Sequence, residues 1–556
     1  MAKPDPTSPV RPARAACPPL GRALIAAASF LALCGVVTAD PPEESATVPK
    51  ADPARPETTP PEKTEAAKTP EKRQTVAEQT AERLRVGWLQ QHARTITIDP
   101  ADDDDVDLMA LAEAIGNARV VLLGEQSHGD GSTFLAKSRI VKFLHKQMGF
   151  DVLAFESGMY DMRRVDRGMT EEPTWNLACG RGLFGIWSMS EQCRNLMEYV
   201  HASHRTGKPL ELAGFDNQYT FELKDSPYWD DLDNFFTAAA IQSGKNLMDG
   251  EISDYLTQLK VWHMERSFMG DAREPDLTKL TEEQAADYQH LEESLAKQRA
   301  SMLGALEKLA GRMEEDLASE EPSLLRAHSR REAEFMRRTV LNLRSFSRQI
   351  MLSGTKLSDP KDVNLRDIAM GENLVWLGNE YYRGRKIIVW AASMHNAHDV
   401  KSITVPDEPG FYDGTITMGE GVHKALGKEA YSVMFTAFDG RIGRPWTDSG
   451  PIEPAPRDSL EWLLKRAGFE NAFLDFRTLP VKDDSDNPLW LRERTVSRPL
   501  GHVPMMAKWG DCFDGVVYTQ KMVPSTQAKL PAAPAKEAEK PAEGAEEGAE
   551  RKGPRH

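Results

Sequence analysis

The sequence predicts an α/β fold: a mainly parallel central sheet flanked by helices, with a helical insertion. Three observations carry that reading. Several short apolar runs have the length of strands, amphipathic helices fall between them, and residues 250–352 form a long helical stretch with no strand signal. Runs that are apolar at every position suit parallel strands covered on both faces, whereas one-sided strands alternate.

The first strand is Val120-Val121-Leu122-Leu123, and Gly124 ends it. A helix follows from Ser132 to Met148, because Phe134, Ile140, Val141, Leu144 and Met148 fall on one stripe and Gly149 closes it. Asp151-Val152-Leu153-Ala154-Phe155 is the next strand, which completes a strand–helix–strand crossover of the right-handed kind. Leu210-Glu211-Leu212-Ala213 is a strand before Gly214-Phe215-Asp216-Asn217. A helix fits Asp367 to Tyr382, Lys386 to Trp390 is another buried strand, and Ala430 to Thr436 is a further one.

The insertion reads as a pair of antiparallel helices. Thr281 with Gln284 makes a capping box, and Tyr288, Leu291, Leu295, Met302, Leu306, Leu309 and Met313 follow as a narrow seam. Met336, Val340, Leu343 and Ile350 continue the pattern in the second helix. The pair is either a wall over a site or plain scaffold.

Both ends differ from this middle. Arg11, Arg14 and Arg22 precede an uncharged apolar run, Ala23 to Val37, and small residues at Val37-Thr38-Ala39, so residues 1–39 read as an export signal cleaved before Asp40. An uncleaved anchor competes, as does lipidation at Cys34, although Leu33 is large for a lipobox. The chain is therefore expected in the periplasm or outside the cell. Residues 40–78 and 523–556, rich in Pro, Glu, Lys and Ala, read as disordered spacer and tail, which leaves 79–522 as the folded domain. Of five cysteines, Cys179 and Cys193 are the nearest pair beyond the signal, and export permits a bond between them. A net charge of -16 argues against nucleic acid as a partner. Oligomeric state is open.

Chemistry gathers at the strand ends. Glu125 and His128 follow the first strand, Glu156 the second, Asp216 and Asn217 the third, and His395 and His398 the strand that ends at Trp390. In an open α/β sheet, ligands bind beyond the carboxyl ends of the strands. The runs LLGEQSHGDGSTFLAKSRIVKFL, VLAFESG, LAGFDNQY, RDIAMGENLVWL, IIVWAASMHNAHD and MGEGVHKALGKEAYSVMFTAF resemble, in the same order, those of the erythromycin esterase family. The resemblance implies an esterase that opens macrolide lactones by direct attack of water, with no serine nucleophile and no tightly bound metal or cofactor. It implies a catalytic set of His128 as general base, Glu125 and Glu156 as the acidic pair, and His395 and His398. Lys137 matches a basic position of the family, and Arg139 lies two residues on; both are substrate or oxyanion candidates.

Ester hydrolysis needs a proton acceptor near neutral pH, a carboxylate to orient it and a donor for the oxyanion, and these residue types supply all three. Which glutamate orients the base is open. Asp216 reads as a turn or cap residue, Trp187 and Trp390 as core or pocket wall. Ser127 fails as a nucleophile elbow because Glu125 stands where the first glycine belongs. The expected substrate is a small ester or lactone. A metal-dependent hydrolase built on the same His/Glu cluster and a non-catalytic small-molecule binder are the rival readings.

Overall fold

The computed structural model describes residues 75–269, 281–353, 359–479 and 489–529. Residues 1–39, read from the sequence as an export signal, and Cys34 among them lie outside these residues. No helix among the described residues is long and apolar enough to cross a membrane.

The strands are β1 (Arg94–Thr95), β2 (Val120–Glu125), β3 (Val152–Gly158), β4 (Glu211–Asp216), β5 (Ile387–Ala392), β6 (Ala430–Ile442), β7 (Gly450–Ile452), β8 (Asn471–Asp475), β9 (Thr495–Ser497), β10 (Met505–Ala507) and β11 (Gly515–Met522). Nine of them make one sheet in the order β1-β8-β11-β6-β2-β5-β3-β4, with β7 paired to β6. The stretch from β11 to β4 is parallel throughout. The antiparallel members, β1, β8 and β7, are peripheral.

The topology creates the site. From β3 the chain moves outward to β4, while from β5 it crosses β2 to reach β6. The adjacent strands β5 and β3 therefore send their connections in opposite directions, and such a switch point opens a crevice at the carboxyl edge of the sheet. β5 also separates β2 from β3, so the first crossover joins strands that are not neighbours.

Alternate residues of β2 feed two layers. Val121 and Leu123 pack with Phe134, Ile140 and Leu144 of the helix Gly131–Met148. Val120 and Leu122 pack with Met370, Leu374 and Val422 from the helices Leu365–Trp376 and Met418–Leu426. All four β2 side chains are fully buried, each contributing roughly 1.5–3 kcal/mol relative to exposure. Gly124 is required where β2 ends. A Cβ there would lie 2.8 Å from the Ser393 Cα, and Ser393 Oγ donates to the Gly124 carbonyl at 2.7 Å.

Among the described residues the insertion contains the helices Glu251–Met269, Glu282–Ala318 and Arg330–Leu352, one more than the pattern predicts. The Thr281–Gln284 capping box is present, and Ser329 with Glu332 makes a second. Leu306, Leu309, Met313 and Leu343 share a core with Phe236 of the preceding helix Tyr228–Ser243. The last insertion helix is also a wall: Asn342 Nδ2 donates to the carbonyls of Asp216 and Asn217 at 3.3 Å each, and Asn217 Nδ2 donates to Gln349 at 3.0 Å.

Both domain edges differ from those that composition suggests. Residues 76–78 already belong to a helix, Val76–His92. Residues 523–529, assigned by composition to the tail, lie along the domain, with Pro524 bridged to Asp130, Gln527 bridged to Ser190 and Ala528 buried. The backbone bonds of these few residues outweigh their polar composition. Cys179 and Cys193 are separate buried thiols, so the suggested disulfide does not form.

Candidate active site

Glu125 is the last residue of β2, and both of its carboxylate oxygens are engaged. Its side chain is fully buried, and the Lys137 ammonium, also fully buried in the next helix, pairs with Oε2. Lys137 also donates to the Ala391 carbonyl at 3.2 Å and lies 4.2 Å from the centre of the Trp390 ring. Burial pulls the Lys137 pKa below its ordinary value, with Glu125 pulling the other way. On the second oxygen, Oε1, Trp187 Nε1 donates at 3.3 Å and His128 Nδ1 approaches to 3.2 Å. An ionised carboxylate only accepts, so Nδ1 is the donor in this contact, and Nε2 faces Glu156. Trp187 supports the same ring edge-on, with centroids 5.6 Å apart.

The turn carrying His128 is itself pinned. Asp130 accepts from the Ser127 backbone N–H at 2.9 Å and pairs with His502 Nε2 at 2.8 Å. Ser127 thus shapes the turn.

Glu156 comes from β3 where its register with β4 shifts, between Phe155 and Gly158. Such an irregularity re-aims a side chain. Glu156 Oε2 accepts from the Ala392 backbone N–H at 2.9 Å, which ties β3 to the end of β5. Its Oε1 is the meeting point of the site: His128 Nε2 lies 4.0 Å away, His395 Nε2 3.2 Å and Arg366 Nη2 2.7 Å. Burial opposes charge on Glu156, yet His395, Arg366 and His128 together hold its pKa well below the ordinary value.

His395 lies in the short helix Ser393–Asn396 after β5, and its Nδ1 faces Asp367 Oδ1 at 2.8 Å. Burial disfavours the imidazolium, but Asp367 and Glu156 overcome it and raise the His395 pKa well above the usual histidine value. The two imidazoles thus share Glu156 but differ in their second carboxylate, Glu125 for His128 and Asp367 for His395.

Of the residues singled out from the sequence, Glu125, His128, Glu156 and His395 converge. Lys137 joins them from behind, as the buried partner of Glu125, and is closed to solvent. Two do not. Arg139 points to the opposite side of its helix, where it donates to Asp107 at 2.7 Å and to the Thr97 carbonyl at 3.0 Å. Residues two apart on a helix face away from each other, so only one of Lys137 and Arg139 can reach the sheet edge. His398 turns back over β6: its Nε2 meets Ser432 Oγ at 2.7 Å and lies 3.6 Å from Asp514, and its ring stacks on His423 with centroids 3.2 Å apart.

Two residues of the site escape the sequence reading. Arg366 and Asp367 open the helix Leu365–Trp376, inside the run RDIAMGENLVWL. Their signal is an Arg-Asp pair in an ordered motif, but charges at a helix start read as ordinary solvated residues. Asp216, read as a turn residue, does accept from the Gln218 N–H at 3.1 Å, and it also anchors Arg366.

Metal ligation can be weighed at two places. At the sheet edge, the Arg366 guanidinium already occupies the cationic position beside Glu156, and a divalent ion there would face its charge. His398, His423 and Asp514 bring ligand atoms within 4.8 Å of one another. Their imidazoles, however, stack face to face at an interplanar angle of 27° instead of fanning out around a common point, and Arg477 donates to Asp514 at 2.7 Å.

The parallel sheet, its switch point and the carboxylate–imidazole set at its carboxyl edge define an α/β protein with an acid–base site. The erythromycin esterase family model matches residues 145–522, and the chain belongs to that family. YbfO of Bacillus subtilis (strain 168), a protein provisionally named a hydrolase, is 26% identical over 450 residues, covering 79% of this chain and 91% of the relative. Erythromycin esterase type II of Escherichia coli is 22% identical over 454 residues, covering 78% and 97%. Among solved structures, a Bacillus cereus protein superposes with a TM-score of 0.61 at 18% identity, over 81% of this chain and 99% of that one. A histidine-to-asparagine mutant of erythromycin esterase EreC in its open conformation gives 0.51 at 15% identity, over 79% and 99%. These structural likenesses support the α/β fold.

Proposed function

We propose that this chain is a hydrolase of small-molecule esters or lactones in which His128 is the general base. The observation that carries the reading is the paired disposition of the His128 ring. Nδ1 is held on Glu125 while Nε2 faces Glu156 across 4.0 Å, a gap that one water molecule can bridge by hydrogen bonds to both. As the water oxygen bonds to the carbonyl carbon, its proton passes to His128 Nε2, and the Glu125 carboxylate stabilises the imidazolium that forms. The carbonyl electron pair moves onto oxygen, where His395 supplies a proton donor. Collapse breaks the carbon–alkoxide bond, and the proton on His128 goes to the leaving oxygen, which gives one acid and one alcohol. Lys137 pairs with the other oxygen of Glu125.

Family membership favours a hydrolase, and the Escherichia coli relative makes macrolide lactones the first substrates to try. Export, read from the first residues, would place this activity outside the cytoplasm. The test is turnover of a panel of macrolides and simple esters by the purified protein, with and without chelator. The expected result is chelator-insensitive hydrolysis that falls on the order of 10²–10⁴-fold in His128→Ala, with ligand binding retained. Loss of activity on chelation would favour the metal reading. Binding without turnover across the panel would favour a non-catalytic binder.

A further inference from the structure

Behind the reacting groups stands a layer of charged residues that touch those groups from the far side. We propose that Asp367 and Asp216 are positioning residues of this site: Asp367 aims His395, and Asp216 aims Arg366 and through it Glu156. The chemical consequence rests on the hydrolytic reading above, while the positioning itself is testable without it.

Asp367 is held on two sides. Its Oδ1 accepts from the Met418 backbone N–H at 3.0 Å and faces His395 Nδ1 at 2.8 Å. The backbone bond fixes the carboxylate to the start of the helix Met418–Leu426, so the ring has to align with it. With Nδ1–H directed at Asp367, Nε2 is turned toward Glu156 Oε1. The charged groups facing His395 are Asp367 and Arg366 from the helix Leu365–Trp376 and Glu156 from β3. Two carboxylates against one guanidinium favour the imidazolium, which suits His395 as a donor and leaves the base role to His128.

Asp216 does the same for the neighbouring residue. It takes Arg366 side-on, with Nε on Oδ1 at 3.2 Å and Nη2 on Oδ2 at 2.7 Å, and the same Nη2 reaches Glu156 Oε1. The planar guanidinium fork transmits orientation as a rigid plate, which a lysine could not. Successive helix residues diverge by about 100° around the axis, so Arg366 reaches the ends of β3 and β4 while Asp367 reaches the short helix after β5. The Arg-Asp pair thus spans the switch point and registers its two sides.

The experiment combines histidine-labelled NMR titration with steady-state kinetics on Asp367→Asn, Asp367→Glu and Asp216→Asn in the full chain. In Asp367→Asn, the His395 ring should lose its proton at lower pH than in the unmodified protein. kcat should fall on the order of 10²-fold with KM changed by less than about threefold, and Asp367→Glu should recover most of the loss. Asp216→Asn should lower kcat without moving the His395 titration to the same extent. A folded Asp367→Asn protein with unchanged His395 titration overturns the proposal, and so does unchanged turnover. Should the unmodified protein hydrolyse nothing, a shifted His395 titration would still support the positioning role while the hydrolytic reading falls.

Discussion

His395 and His398 lie three residues apart after the same strand, yet they sit in opposite electrostatic worlds. His395 is enclosed by Asp367 and Glu156, which raise its pKa well above the usual value. His398 is half-buried against His423, with Arg477 nearby, and desolvation with these neighbours pushes its pKa down to about 2. The difference comes from the path of the chain. Ser393 packs on Gly124 at the end of β2, His395 stays at the carboxyl edge beside Glu156, and His398 reaches Ser432 of β6. The comparison teaches that a histidine pair close in sequence is no guarantee of a shared site. Charge partners from other elements decide which imidazole is a donor, which is a base and which is a neutral packing group.

The largest stability effect should separate a charge-built edge from a neutral stack. Lys137→Met leaves Glu125 buried without its cation, and a loss of about 3–5 kcal/mol is expected in urea unfolding. His423→Phe, which replaces one stacked ring by another, should cost less than about 1.5 kcal/mol. If the two losses were equal, or if Lys137→Met were neutral, the charge-built description of the edge would fail.

Acid provides a smaller, graded test. The folded pKa of His398 lies below its ordinary value of 6.5, so below that value the unfolded chain takes up the proton first. The contribution of His398 is therefore present above pH 6.5 and is lost as pH falls from there toward about 2. Glu156, whose pKa is also depressed, adds its own loss below the ordinary carboxylate range. His395 has the opposite sign: its raised pKa stabilises the fold below the ordinary histidine value, and that contribution fades as pH rises through the folded pKa. Unfolding midpoints measured against pH should show the limb near pH 6 shrink in His398→Gln; a limb of unchanged size would break the assignment of His398 as a half-buried neutral ring.

How far the sequence reveals this arrangement is decided by the same physics. The strands β2, β3, β5 and β6 are legible because parallel strands covered on both faces carry runs of mostly apolar residues. The residues that terminate them inherit a common edge, so Glu125, His128, Glu156 and His395 can be found without coordinates. β1, β7 and β8 escape such a reading, since a short or peripheral strand carries little of that pattern; β11 is long and interior, but Thr519, Gln520 and Lys521 interrupt its apolar run after Tyr518. Lys137 and Arg139 separate only once the helix is docked, which shows the face that meets the sheet. Arg366 and Asp367 stay hidden because a charged pair opening a helix looks solvated until the partner strands are in place. His398 misleads because sequence proximity to His395 says nothing of the chain path that sets its ring against Ser432 of β6.

The central claim is that hydrolysis belongs to the set at the carboxyl edge and not to the neighbouring stack. It is tested most directly by measuring kcat/KM for one hydrolysed ester in His395→Gln and His398→Gln side by side. The expected outcome is a loss on the order of 10²-fold for the first and a change of less than about threefold for the second. An equal or larger loss on replacing His398, with His395→Gln near unmodified activity, would contradict it.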